Sequence, residues 1–159
     1  MQLNQVRGYL EVTPTIVTAG QPSEEHLRLL PALGFKHVIN LGLTDPRYCL
    51  ADEAGLAASL GLRYVPIPVD FSAPGTLSLQ RFFDELDACG GDKVLVHCAA
   101  NYRVSCYMAL YAQVRWGWPQ DRADALIGEV WEPDDTWIDF LHAQRTTLGL
   151  LAGSALDNA

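Results

Sequence analysis

The sequence predicts an α/β domain with a mostly parallel central sheet of four to five strands, flanked by helices on both faces. Three observations carry that expectation. Short β-branched runs alternate along the chain with stretches of helical apolar spacing, and strands separated by helices join most simply in parallel. Gly34, Gly61 and the Gly90-Gly91 pair close successive helical stretches. The apolar run Lys93 to His97 passes through a tight loop straight into a long apolar helix pattern, the strand–loop–helix unit from which such sheets are built. With 159 residues, 49% hydrophobic and 19% charged, the chain suits one globular domain over 1–159 with a sizeable core. About the last ten residues are expected to fray.

In chain order, Thr15 to Thr18 reads as a short strand closed by Ala19-Gly20-Gln21-Pro22. Ser23 is an N-cap for a helix from Glu24 to Leu33, whose two leading acids suit its first turn and whose late Pro31 should shorten it. His37 to Leu41 is a strand. Ala51 to Leu60 is a helix, and Arg63 to Val69 is extended, its two prolines favouring a sheet edge. Leu77 to Cys89 has helical spacing through Leu79, Phe82, Phe83 and Leu86, ahead of the Lys93 to His97 strand. Tyr102 to Trp116 is apolar on nearly every side and should be a buried central helix. Two more helices follow, Pro119 to Val130 and Asp134 to Leu148.

Composition excludes several functions. The net charge of −8 argues against general nucleic-acid binding. It also requires any anionic substrate to be gripped locally, against an unhelpful overall field. No apolar run reaches membrane-spanning length. The first residues lack the features of a signal peptide, which makes a cytoplasmic address the default expectation. The cysteines at 49, 89, 98 and 106 have neither metal-type spacing nor the setting of a disulfide framework.

The chemistry concentrates at His97-Cys98-Ala99-Ala100-Asn101-Tyr102-Arg103. A strand-to-helix loop points backbone N–H groups and a helix N-terminus at one spot. Positive potential there favours a thiolate at Cys98, and Arg103 offers a planar fork for two oxygens of a tetrahedral anion. A nucleophile in an anion cradle indicates phosphoryl chemistry through cysteine.

The chain resembles dual-specificity-type members of the cysteine-dependent protein tyrosine phosphatase superfamily, in the small bacterial branch related to beta-lactamase-hydrolase-like phosphatase domains. The resemblance rests on Thr18 to Ser23, Gly34 to Leu41, Tyr64 to Asp70 and Val94 to Arg103, in the same order, with Trp131-Glu132-Pro133 and Trp137 in the tail. It implies a metal-free, cofactor-free hydrolase of phosphate monoesters, acting on a phosphorylated protein or a small phosphate ester. In that mechanism Cys98 attacks phosphorus and becomes a phosphocysteine. Arg103 and the amides of Ala99, Ala100, Asn101, Tyr102 and Arg103 hold the equatorial oxygens. Asp70 serves as general acid and then base. The resemblance gives His97 and Ser105 supporting roles toward the thiol, and makes Cys49 a candidate redox partner of Cys98, beside the simpler reading of an ordinary loop cysteine.

Two departures stand out. The loop has four residues between Cys98 and Arg103 and no glycine, and Val104 stands where a hydroxyl residue is usual. Asn101 falls where the bacterial branch commonly has glycine, and Asn is the side chain best suited to a left-handed backbone. The short loop also fits a rhodanese-like sulfurtransferase, and loss of the hydroxyl fits a weakly active or inactive phospho-ligand-binding module. Asp70 in turn suits a plain strand end, and Trp131 and Trp137 suit core anchors.

Overall fold

The computed structural model describes residues 1–151; the fraying expected of the final residues falls almost wholly outside them. The strands are β1 (Leu10–Thr13), β2 (Ile16–Ala19), β3 (Phe35–Asn40), β4 (Arg63–Pro66) and β5 (Lys93–His97). The helices are α1 (Glu24–Leu29), α2 (Glu53–Ser59), α3 (Thr76–Ala88), α4 (Tyr102–Trp116), α5 (Gln120–Gly128) and α6 (Asp135–Thr147). The sheet order is β1-β2-β5-β3-β4, with β1 antiparallel to β2 and every other pairing parallel. The expected α/β architecture is therefore present, and β5, which ends at His97 and hands Cys98 to the following loop, is the central strand.

Alternation along the strands divides the core in two. Ile16, Ile39, Val94 and Val96 face the cluster built with α3, α4, α5 and α6. Val17, Val38 and Leu95 face the other way, onto Leu27 and Leu30 of the α1 segment, Ala57 of α2, and Leu3 and Val6. Helix α4 is buried from Arg103 through Gln113, as its all-round apolar pattern predicts.

Several boundaries differ for local reasons. Helix α1 ends at Leu29 because Pro31 cannot continue it. Its N-cap is Ser23, which accepts the His26 amide at 3.1 Å. The sequence carries no clear signal for strand β1. It is a partly buried four-residue edge strand joined by a tight turn to β2, too short for alternation to stand out. Strand β4 lies at the opposite edge, where its prolines are tolerated. Beyond β4 the chain stays extended, with the amides of Ile67 and Val69 bonded to Asn40 and Leu41 carbonyls at 2.8 and 3.0 Å. That ladder delivers Asp70 to the end of the sheet where β5 releases Cys98. No described helix is long and apolar enough to cross a membrane.

Candidate active site

A cleft of about 500 Å³ opens at the carboxyl end of the parallel strands. Cys98, Ala99, Ala100, Tyr102 and Arg103 form its floor, Asp70, Phe71 and Ser72 one wall, and Leu43, Asp45, Arg47 and Tyr48 the other. Arg7, from the segment before β1, completes the rim. The fold thus brings Cys98, Arg103 and Asp70, distant in sequence, to one cavity. A groove of similar volume between α5 and α6 is lined by no cysteine, serine or threonine. Among the described residues no cluster of His, Cys, Asp or Glu could hold a metal ion.

The floor is built from backbone. Cys98 donates its amide to Ala19 O at 3.3 Å, and Gln21 donates to Ala99 O at 3.0 Å, tying the loop to the end of β2. A Cβ on Gly20 would lie 2.6 Å from Ala99 O and 2.8 Å from Arg7 O, so only glycine allows three segments to meet there. Asn101 adopts φ 69° and is the only described non-glycine residue at positive φ. Its Nδ2 donates to Gly8 O at 2.8 Å and to Thr18 Oγ1 at 3.0 Å. Asn101 therefore supplies the left-handed turn expected of it and also braces the loop from behind. The amides of Ala99, Ala100, Tyr102 and Arg103 have no acceptor among the described residues, which leaves a row of donors at the start of α4.

Arg103 is buried, and its Nη1 donates to Val69 O at 2.9 Å, linking the cradle to the Asp70 segment. Its Nε is buried without a partner among the described residues, a donor left for a ligand. The guanidinium carbon sits 6.0 Å from the Tyr48 ring centroid and 5.9 Å from that of Phe71. Asp70 itself is exposed. The Ser72 hydroxyl and amide donate to its Oδ1 at 2.8 and 2.9 Å. These two bonds, and then the Arg103 charge, hold its carboxyl below the usual range. Asp45 is held down to about 2 by bonds from the Arg47 side chain and amide.

His97 is fully buried. Its Nε2 lies 2.5 Å from Glu53 Oε2 and its Nδ1 3.2 Å from Cys98 O. Gln21 Nε2 donates to the other Glu53 oxygen at 2.8 Å. Burial pushes the Glu53 carboxyl up, but bonds from His97, Gln21 and Tyr64 outweigh it and leave the group below its ordinary value. Nothing in the sequence marks Glu53. As a leading acid of α2 it reads like any other first-turn charge, and its partner is 44 positions away.

Ser105 and Cys49 both lie outside the residues lining the cleft. Ser105 Oγ donates to Tyr102 O at 2.7 Å and accepts the Trp131 indole N–H at 3.0 Å, so its hydroxyl braces the start of α4 and makes no bond to Cys98. Cys49 is a free, half-buried cysteine outside the residues lining the cleft. The tail tryptophans are core anchors that also reach the site. Trp131 stacks on Tyr102 with ring centroids 4.4 Å apart, and Trp137 Nε1 donates to Phe71 O at 2.8 Å.

No protein-family model matches the chain, and no curated protein matches it. Among solved structures, a DUF442 protein from Shewanella putrefaciens CN-32, whose phosphatase assignment is an inference, is 30% identical to it. That match covers 92% of this chain and 96% of the Shewanella chain, with a TM-score of 0.80. The chain belongs to the DUF442 family. This DUF442 protein also shares the fold of protein tyrosine phosphatases. A variant of P. aeruginosa TpbA solved in complex with pTyr is 19% identical, covering 89% of this chain and 90% of its own, at a TM-score of 0.68. Tk-PTP in its active form is 19% identical, covering 87% and 97%, at 0.72. These two likenesses are likenesses of fold, and it is the fold of the superfamily that the motifs resemble.

Proposed function

We propose that this DUF442 protein hydrolyses phosphate monoesters through a cysteinyl-phosphate intermediate. One observation carries the reading: Cys98, Arg103 and Asp70 line the same cleft, above a row of unoccupied backbone donors. A tetrahedral dianion seated there receives the free amides of Ala99, Ala100, Tyr102 and Arg103 and the unpaired Nε donor of Arg103. Cys98 Sγ attacks phosphorus as the ester oxygen departs, and Asp70 protonates that oxygen. Asp70 then takes a proton from the water that cleaves the phosphocysteine, releasing inorganic phosphate and restoring the thiolate. The aromatic lining of Tyr48, Phe71 and Tyr102 suits an aryl ester, so a phosphotyrosine-type substrate is the favoured class.

Family membership and fold both support phosphatase chemistry over sulfur transfer, and a sulfurtransferase has no use for the Asp70 wall. The test is release of phosphate from an aryl phosphate, abolished in Cys98→Ser, with a phosphocysteine trapped by acid quench and mapped to position 98. Asp70→Asn slows turnover on a poor leaving group by on the order of 10²–10⁴-fold and on an activated one far less. Equal losses on both would remove Asp70 from the acid role, and thiosulfate-to-cyanide sulfur transfer without phosphate release would replace the phosphatase reading altogether.

A further inference from the structure

We propose that Arg7 is a specificity-determining residue that selects phosphate esters bearing a second anionic group. The proposal deepens the phosphatase reading and rests on it. Three arginines line the cleft of a chain whose net charge is −8, and they are not equivalent. Arg103 is buried at the floor and committed to the reacting phosphate. Arg47 is closed onto Asp45, with Nε 3.1 Å from both carboxylate oxygens and Nη2 2.6 Å from Oδ2, so that pair is neutral toward a ligand. Arg7 is exposed at the rim, and its side chain makes no hydrogen bond or ion pair among the described residues.

Its backbone, in contrast, is held firmly. Arg7 O accepts the Gly20 amide at 2.7 Å, and the neighbouring Gly8 O accepts Asn101 Nδ2 at 2.8 Å. Leu3 and Val6 anchor the same segment in the core. A flexible cation is thus mounted on a rigid base beside the anion cradle. Asp70 lines the same cleft, and its part in the reaction leaves it unavailable to neutralise Arg7. A substrate whose phosphate sits over Cys98 can therefore place a carboxylate or second phosphate against the Arg7 fork.

The test compares N-acetyl-phosphotyrosine, which has a free carboxylate, with its carboxamide, which differs by that one charge. Wild-type protein is expected to favour the carboxylate in kcat/KM by about three- to ten-fold at low salt. Arg7→Gln brings the ratio close to one, Arg7→Lys keeps part of it, and Arg47→Gln changes it less than Arg7→Gln. No preference in the wild type, a ratio untouched by Arg7→Gln, or a ratio lost on Arg47→Gln instead would overturn the proposal. Should neither ester be hydrolysed, the phosphatase reading fails separately. The same two compounds are then compared by calorimetric Kd on Cys98→Ser protein, where equal affinities or no binding would sink the assignment of Arg7.

Discussion

At the scale of single residues, the site depends on side chains that never reach a substrate. Asn101 combines a left-handed backbone with two hydrogen bonds from one amide group. Asn101→Ala keeps neither property and is expected to cost about 2–4 kcal/mol in denaturant unfolding, whereas Asn101→Gly keeps the turn and costs about 1 kcal/mol. Equal losses would show that backbone geometry is not what Asn provides.

Ser72 acts on Asp70 through charge. Its two bonds stabilise the carboxylate, so the acid form is held down in the free protein. Ser72→Ala removes the hydroxyl bond, and protonation of Asp70 becomes easier. The basic limb of the pH–rate profile on a poor leaving group should therefore move to higher pH; a shift to lower pH, or none, would contradict this.

Glu53 works from the opposite side of the loop. Its folded value lies below its ordinary one, so its contribution to stability is present above about pH 4.5 and is lost as pH falls through the folded value. Glu53→Gln should lower the melting temperature at neutral pH, by the equivalent of about 3 kcal/mol for breaking a buried pair. It should also flatten the acid-side fall in stability. A variant as acid-sensitive as the wild type would remove the His97 bond from that account.

At the scale of elements, sequence was most informative where one segment determines its own structure. Lys93–His97 and Tyr102–Trp116 appear with the expected ends, because a strand buried on both faces and a helix buried all round leave strong patterns. The candidates Cys98, Arg103 and Asp70, which the fold gathers in one cleft, are marked by local motifs for a related reason. Glu53, Arg7 and the Ser105–Trp131 bond are not, because each depends on two elements meeting, which no window of sequence contains.

The tether of the Asp70 wall belongs to the same class. Trp137, on α6, donates to Phe71 O, and Phe71 packs 5.9 Å from the Trp137 ring and 5.6 Å from that of Trp131. A helix far along the chain thereby fixes the residue next to Asp70. Trp137→Phe retains an aromatic core residue and loses the N–H. Its stability cost should be about 1–3 kcal/mol, with turnover falling more on poor than on activated leaving groups. Uniform loss across leaving groups would mean that the indole only packs.

At the scale of the whole molecule, the two cores meet the site from opposite faces of the sheet. The larger cluster supports α4, and through it the helix start that carries Arg103. The smaller one holds the N-terminal segment, through Leu3 and Val6, against Val17 and Leu95. That segment carries the Gly8 carbonyl bonded to Asn101 and the Arg7 carbonyl bonded to Gly20, so packing of the first residues is transmitted to the floor of the cleft. Stability and activity should consequently separate according to which core is weakened. Leu3→Ala with Val6→Ala removes buried side chains beneath the cradle, and Leu126→Ala does so on α5, in the larger cluster. Each Leu→Ala change costs about 2–5 kcal/mol. With conditions set so that both proteins remain folded, the Leu3/Val6 variant is expected to lose kcat and affinity for inorganic phosphate, while the Leu126 variant retains both despite a lowered Tm. Parallel losses in the two proteins would mean that activity follows global stability and that the N-terminal segment has no particular hold on the cradle.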